Sequence, residues 1–205
     1  MNIVDRARNI ILSPNTEWNV ISAETPQRNQ IIVGYVIPLA GLAAIAAFIG
    51  YGFIGVSAFG VKFVGLDWGL FQAISKFISA LLSVFITALV LDTLAPNFNS
   101  QKNFDRSLQL VAYAFTPVWI GDFLAIFPPL AIIGTLFGIY GLYLMYIGIP
   151  KLKFTPEDKH VGYFVVCIIV TVIVYIAIGW ILNSVLMNSF GLVYSAGNGL
   201  NGPAY

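Results

Sequence analysis

The chain has 205 residues, of which 59% are hydrophobic and only 9% charged, with a formal net charge of +1. An ordinary soluble domain carries about 25% charged residues, so this composition excludes a water-exposed globular surface over most of the length. The near-neutral balance gives no global field toward nucleic acid. A single cysteine, Cys167, excludes an intrachain disulfide, and a single histidine, His160, excludes a histidine-cluster metal site.

The first thirty residues read as a cytoplasmic amphipathic segment (1–30). Arg6 and Arg8 are followed by only Ile10, Ile11 and Leu12 before Ser13-Pro14. A cleavable signal needs about 7–15 apolar residues, so none is expected. Ile3, Val4, Ala7, Ile10 and Ile11 share one helical face, which predicts a short helix lying in the membrane interface. Ser13-Pro14 then predicts an N-cap and first helical residue for a second short helix through Glu17 and Trp18. Trp18, with its apolar ring and polar N–H, is the expected interfacial anchor.

Five long apolar stretches follow. No Asp, Glu, Lys or Arg occurs from Asn29 to Val61, from Phe123 to Pro150, or from Val161 to Tyr205. A membrane-crossing helix needs about 20 apolar residues, and the stretches predict spans at about 31–55, 70–95, 107–127, 128–148 and 161–187. Pro128-Pro129 marks the turn between the third and fourth. Backbone groups in hydrocarbon need internal partners, so the fold class is an all-α transmembrane bundle (31–188). An uncharged external tail (189–205) closes the chain.

The basic residues set the orientation. Arg6, Arg8, Arg28, Lys102, Arg106, Lys151, Lys153 and Lys159 fall on one side of the predicted spans, and Lys62 and Lys76 on the other. Basic loops stay in the cytoplasm, so the N-terminus is expected inside and the C-terminus outside.

Ionisable groups within spans are costly and often functional, and Lys76, Asp92 and Asp122 qualify. Lys76 and Asp122 lie at similar depth on neighbouring antiparallel spans, which allows an ion pair. Asp92, near the inner end of its span, lies within reach of Arg106 or Lys102. Span three also holds Tyr113, Thr116 and Pro117. Proline frees a carbonyl of the preceding turn, which Thr116 or a neighbouring helix can satisfy, and the kink can open a notch. Gly134 and Gly138 form G-x-x-x-G in span four, with Gly141 and Gly148 extending the stripe, and Ala40/Ala44 and Ala43/Ala47 in span one offer a similar small-residue face for helix packing. No phosphate loop, zinc-protease, nucleophile-elbow or paired-cysteine motif occurs, and neither catalysis nor a cofactor is expected. Glu157 and Asp158 suit the first turn of the last helix.

Three stretches resemble the Yip domain family, the Rab-interacting membrane proteins of the eukaryotic early secretory pathway and their bacterial relatives. They are Ser13-Pro14 through Glu17-Trp18, Ala112 through Pro117, and Ile139 through Gly148 leading into a basic loop. The resemblance implies five membrane helices, a cytoplasmic N-terminus and a scaffold rather than an enzyme. The long cytoplasmic arm and the Asp-Leu-Tyr-Gly-Pro motif of eukaryotic members are missing, so small-GTPase binding is not transferred. The expected function is that of a non-enzymatic bacterial inner-membrane organiser. Its partners would be the lipid bilayer, itself or other membrane proteins. The runner-up is a small-solute transporter or channel using Lys76, Asp122 and the Pro117 notch.

Overall fold

The computed structural model describes residues 2–58 and 61–189; most of the expected external tail lies outside them. Helix α1 (Ile3–Leu12) opens at Asn2, whose side chain accepts the Val4 N–H. Helix α2 (Pro14–Ala23) starts at Pro14, where the missing N–H costs nothing. Ser13 occupies the N-cap position but makes no side-chain capping bond.

Span one runs continuously over Arg28–Ile54. It consists of α3 (Arg28–Ile31), a π-helical turn (Ile32–Val36), α4 (Ile37–Ile49) and a second π turn (Gly50–Ile54). Pro38, in the first turn of α4, cannot donate to the carbonyl of Gly34; the widened turn just before it absorbs that mismatch. A small antiparallel hairpin follows, β1 (Val56–Ala58) and β2 (Val61–Phe63), with Val56 opposite Phe63. Gly55 permits it: at φ +76° a Cβ there would meet the Phe63 carbonyl at 2.5 Å.

Helix α5 (Leu66–Leu94) is followed by a 3₁₀ turn (Ala95–Phe98) and left-handed Asn99. Helix α6 (Phe104–Ala114) is capped by Asn103 and breaks at Phe115, and α7 (Thr116–Phe123) restarts with Pro117 in its first turn. Two further 3₁₀ turns (Leu124–Ile126, Pro128–Leu130) lead into α8 (Ala131–Lys153) and α9 (Glu157–Ser189). Among the described residues, four stretches are long and apolar enough to cross a membrane: Arg28–Ile54, Leu66–Phe98, Phe104–Ile126 and Glu157–Val185. The molecule is an all-α membrane protein.

The α6–α7 stretch forms the centre. It packs against α4, α5 and α8, and 67% of its most apolar 18 residues are buried. The alanine face of α4, with Ala40, Ala43, Ala44 and Ala47 all buried, lies in this interior. Helix α9 sits outermost, mainly against α5, with only 17% of its most apolar 18 residues buried. Contacts sort the connections to two ends. Gln101 N–H donates to the Lys153 carbonyl, Lys151 to Asn15 O and Arg28 to Asp105, which gathers α1–α3 and the 99–103 and 154–156 connections at one end. Gly50 lies against Ala125 at the opposite end, near the hairpin.

Candidate functional site

Polar side chains cluster at both ends of the bundle. At the end that carries α1–α3, Arg6 is 5% exposed. It donates to Glu17 at 2.6 Å and to Glu24, and its guanidinium lies 5.1 Å over the Tyr113 ring. Burial by itself pulls the Arg6 pKa down; the Glu24 hydrogen bond and the charges around it outweigh that, and the net direction is upward. Tyr113 lies edge-on to Tyr35, whose hydroxyl is 2.7 Å from Thr116 Oγ. Thr116 Oγ donates to the Tyr113 carbonyl at 2.7 Å, so the Tyr35 hydroxyl is the donor to Thr116. The carbonyl that Pro117 strips of its helical partner is thus satisfied from the adjacent side chain. A cleft of about 380 Å³ opens beside Arg6, Glu24, Tyr35 and Tyr113.

Close by, Lys153 is fully buried and spends all its donors: on Asp92 at 3.0 Å, Ser107 Oγ at 2.7 Å and the Asn103 carbonyl at 3.1 Å. Tyr163 donates to the Leu91 carbonyl above it. The expectation that Arg106 or Lys102 serves Asp92 is therefore corrected. Arg106 turns away, donating to Ile21 O and Gln109 Oε1. The left-handed Phe154 ends α8 one residue later, leaving Lys153 in the last turn of the helix.

Trp18 is likewise corrected as an interfacial anchor. Its ring is fully buried and seated on Gly148 of α8, where an added Cβ would meet it at 2.8 Å. Glycines at 134, 141 and 148 set the close approaches of α8: Gly134 to Gly121 of α7, and Gly141 to the Ala114 carbonyl. Gly138 faces open space, because seven residues bring a helix back to the same face while four overshoot it. The Tyr140 hydroxyl donates to Ile11 O, tying α8 to the end of α1.

Toward the opposite end, Lys76 and Asp122 pair across α5 and α7, with side chains 36% and 27% exposed. They border a cleft of about 350 Å³ shared with Ser75, Ser79 and Tyr175. Here the sequence reading missed a pattern. Gln72, Ser75, Ser79, Ser83 and Thr87 fall three to four residues apart on α5, and Thr171, Tyr175 and Asn183 fall four and eight residues apart on α9. The period was available as a signal, but hydroxyls in apolar runs carry little weight beside charges. Arg6 and Lys153, by sequence only two of the basic residues that set the orientation, are network members in the structure.

The Yip1 domain family model matches residues 8–194. Two curated relatives are similar, the inner membrane protein YohC of Escherichia coli strain K12 and that of strain O6:H1. Each is 27% identical over 143 residues, which is 67% of this chain and 73% of the relative. No solved structure matches the chain.

Proposed function

The chain belongs to the Yip1 domain family, and from that premise we propose that it is a five-span, non-enzymatic inner-membrane protein that organises other membrane components through its helix faces. Helix α8 serves as the additional span: its 23 residues extend about 35 Å at 1.5 Å per residue, against a hydrocarbon core of about 30 Å. An odd span count puts the termini on opposite sides. Arg8, Arg28, Lys102, Arg106, Lys151 and Lys159 lie at the α1–α3 end, so that end faces the cytoplasm. The name of the E. coli relatives supports the inner membrane as the location.

The carrying observation is α9. It leaves Val172, Ile173, Ile176, Trp180 and Ile181 exposed along a helix that leans mainly on α5. With α1 and α2 packed on the bundle, this apolar face of α9 is open to a neighbour. A transport path would have to continue inward past Ser83 and Thr87, both without exposed surface, so the transport reading is not advanced.

A photocrosslinking residue at Ile176 or Trp180 in native membranes tests the proposal. Discrete adducts at those positions, with none from buried Leu110, are expected. A strictly monomeric protein with no adduct at any α9 position would end it. Reporters fused to both termini test the orientation separately and must read opposite compartments.

A further inference from the structure

The cleft beside Lys76 is not one cavity but two in series. The first, about 350 Å³, lies between α5, α7 and α9; a second of about 290 Å³ continues it along Gln72, Ser75 and Ser79 toward Asn183. Together they make a groove in the half of the bundle near the hairpin, with largely apolar walls, Val118 and Trp119 among them, and a line of polar groups along α5.

The groove holds unused hydrogen-bonding capacity. An ammonium has three donors and a carboxylate about four acceptor positions; among the described residues Lys76 and Asp122 each use one, on each other. Ser75 Oγ is buried with no partner among the described residues. Hydrocarbon cannot meet these demands, and both charges are too exposed for the protein alone to meet them. A polar occupant would satisfy them.

Its chemistry follows from the charges. Asp122 repels a lone anion and Lys76 repels a lone cation, so a zwitterion fits best. The groups near Lys76 are donors in a row, Ser75, Ser79 and the Gln72 amide, which suits an anion with several oxygens. Asp122 calls for an N–H donor, which a primary ammonium supplies and a quaternary one lacks. We propose that this groove binds a phosphate-plus-primary-ammonium headgroup, with the phosphate on Lys76, Ser75 and Ser79 and the ammonium on Asp122. The site stands whether or not α9 docks a protein partner.

Native mass spectrometry of the full chain, released from nanodiscs of phosphatidylethanolamine, phosphatidylcholine and phosphatidylglycerol with matched acyl chains, tests it. The wild type is expected to retain the ethanolamine lipid about tenfold over the glycerol lipid, the ratio that one charge-assisted hydrogen bond gives. It should also prefer it over the choline lipid. Ser79→Leu fills the groove without touching either charge and should abolish the preference, as should Asp122→Asn. Displacement by millimolar free phosphoethanolamine would identify the headgroup alone as sufficient; persistence would require the attached lipid. Equal retention of the three lipids by the wild type overturns the proposal without any variant. Undiminished preference in a folded Ser79→Leu protein overturns it as well.

Discussion

At each end of the bundle a lysine–aspartate pair joins two helices, Lys153 with Asp92 at one and Lys76 with Asp122 at the other, and the two pairs are built differently. Lys153 is fully buried and every donor it has is spent, on Asp92, Ser107 and the Asn103 carbonyl. Lys76 is 36% exposed and spends one donor, on Asp122. A buried ion pair is tolerated only when its remaining donors and acceptors are satisfied. At the α1–α3 end the protein supplies those partners, and the same holds for Arg6 between Glu17 and Glu24. At the opposite end it leaves the valences open to whatever occupies the groove. The first arrangement welds helices together, while the second makes a site.

The largest expected effect tests the welded pair. Lys153→Met leaves Asp92 buried without its cation and should cost about 3–5 kcal/mol of stability, read as a shift of the unfolding transition in mixed micelles. The double change Lys153→Met with Asp92→Leu should recover much of the loss, because a hydrophobic replacement leaves no orphaned charge. A single-variant cost below about 1 kcal/mol, the value typical of an exposed pair, would erase the difference between the two ends.

Smaller effects sharpen the picture of the α1–α3 end. Thr116→Val removes the hydroxyl that serves both the Tyr113 carbonyl and the Tyr35 hydroxyl, and should cost about 1–3 kcal/mol by the same measurement. Gly148→Ala should be destabilising by about 1–3 kcal/mol, because its Cβ would press on Leu110 and the Trp18 ring. Gly138→Ala should be neutral or stabilising by up to about 1 kcal/mol, since helix propensity improves and nothing stands in the way. Equal behaviour of the two glycine variants would mean that α8 is rotated from the packing described.

Much of this was legible in the residues themselves. Charge-free runs located the long apolar helices, and equal depth on antiparallel helices brought Lys76 to Asp122. Pro117 identified the carbonyl that Thr116 serves. What escaped was set by side-chain direction rather than position along the chain. Lys153 sits in a basic loop segment by sequence, whereas it is the last residue of α8 and its side chain is buried in the bundle. Trp18 has the chemistry of an interface residue, yet the glycine at 148 opens a protein seat for it. Gly134-x-x-x-Gly138 looked like a packing motif, whereas the contacts follow a seven-residue spacing. The hairpin at 56–63 gave no turn signal beyond its glycines.

The smallest effect is the most discriminating. If the groove around Lys76 is filled by water or a polar headgroup, the pair is screened much as a surface pair is, and Lys76→Met should cost no more than about 1 kcal/mol. Its Asp122 partner would then turn to the occupant instead of being stranded. If the groove were dry and facing hydrocarbon, the same change would strand a carboxylate in a medium with no partner for it, and the cost would approach that of Lys153→Met. Comparing the two methionine variants in one micelle, then repeating the comparison in ethanolamine-lipid nanodiscs, separates these cases. A cost at Lys76 matching that at Lys153 in both media would show that the two pairs are built alike, and the distinction between weld and site would be lost.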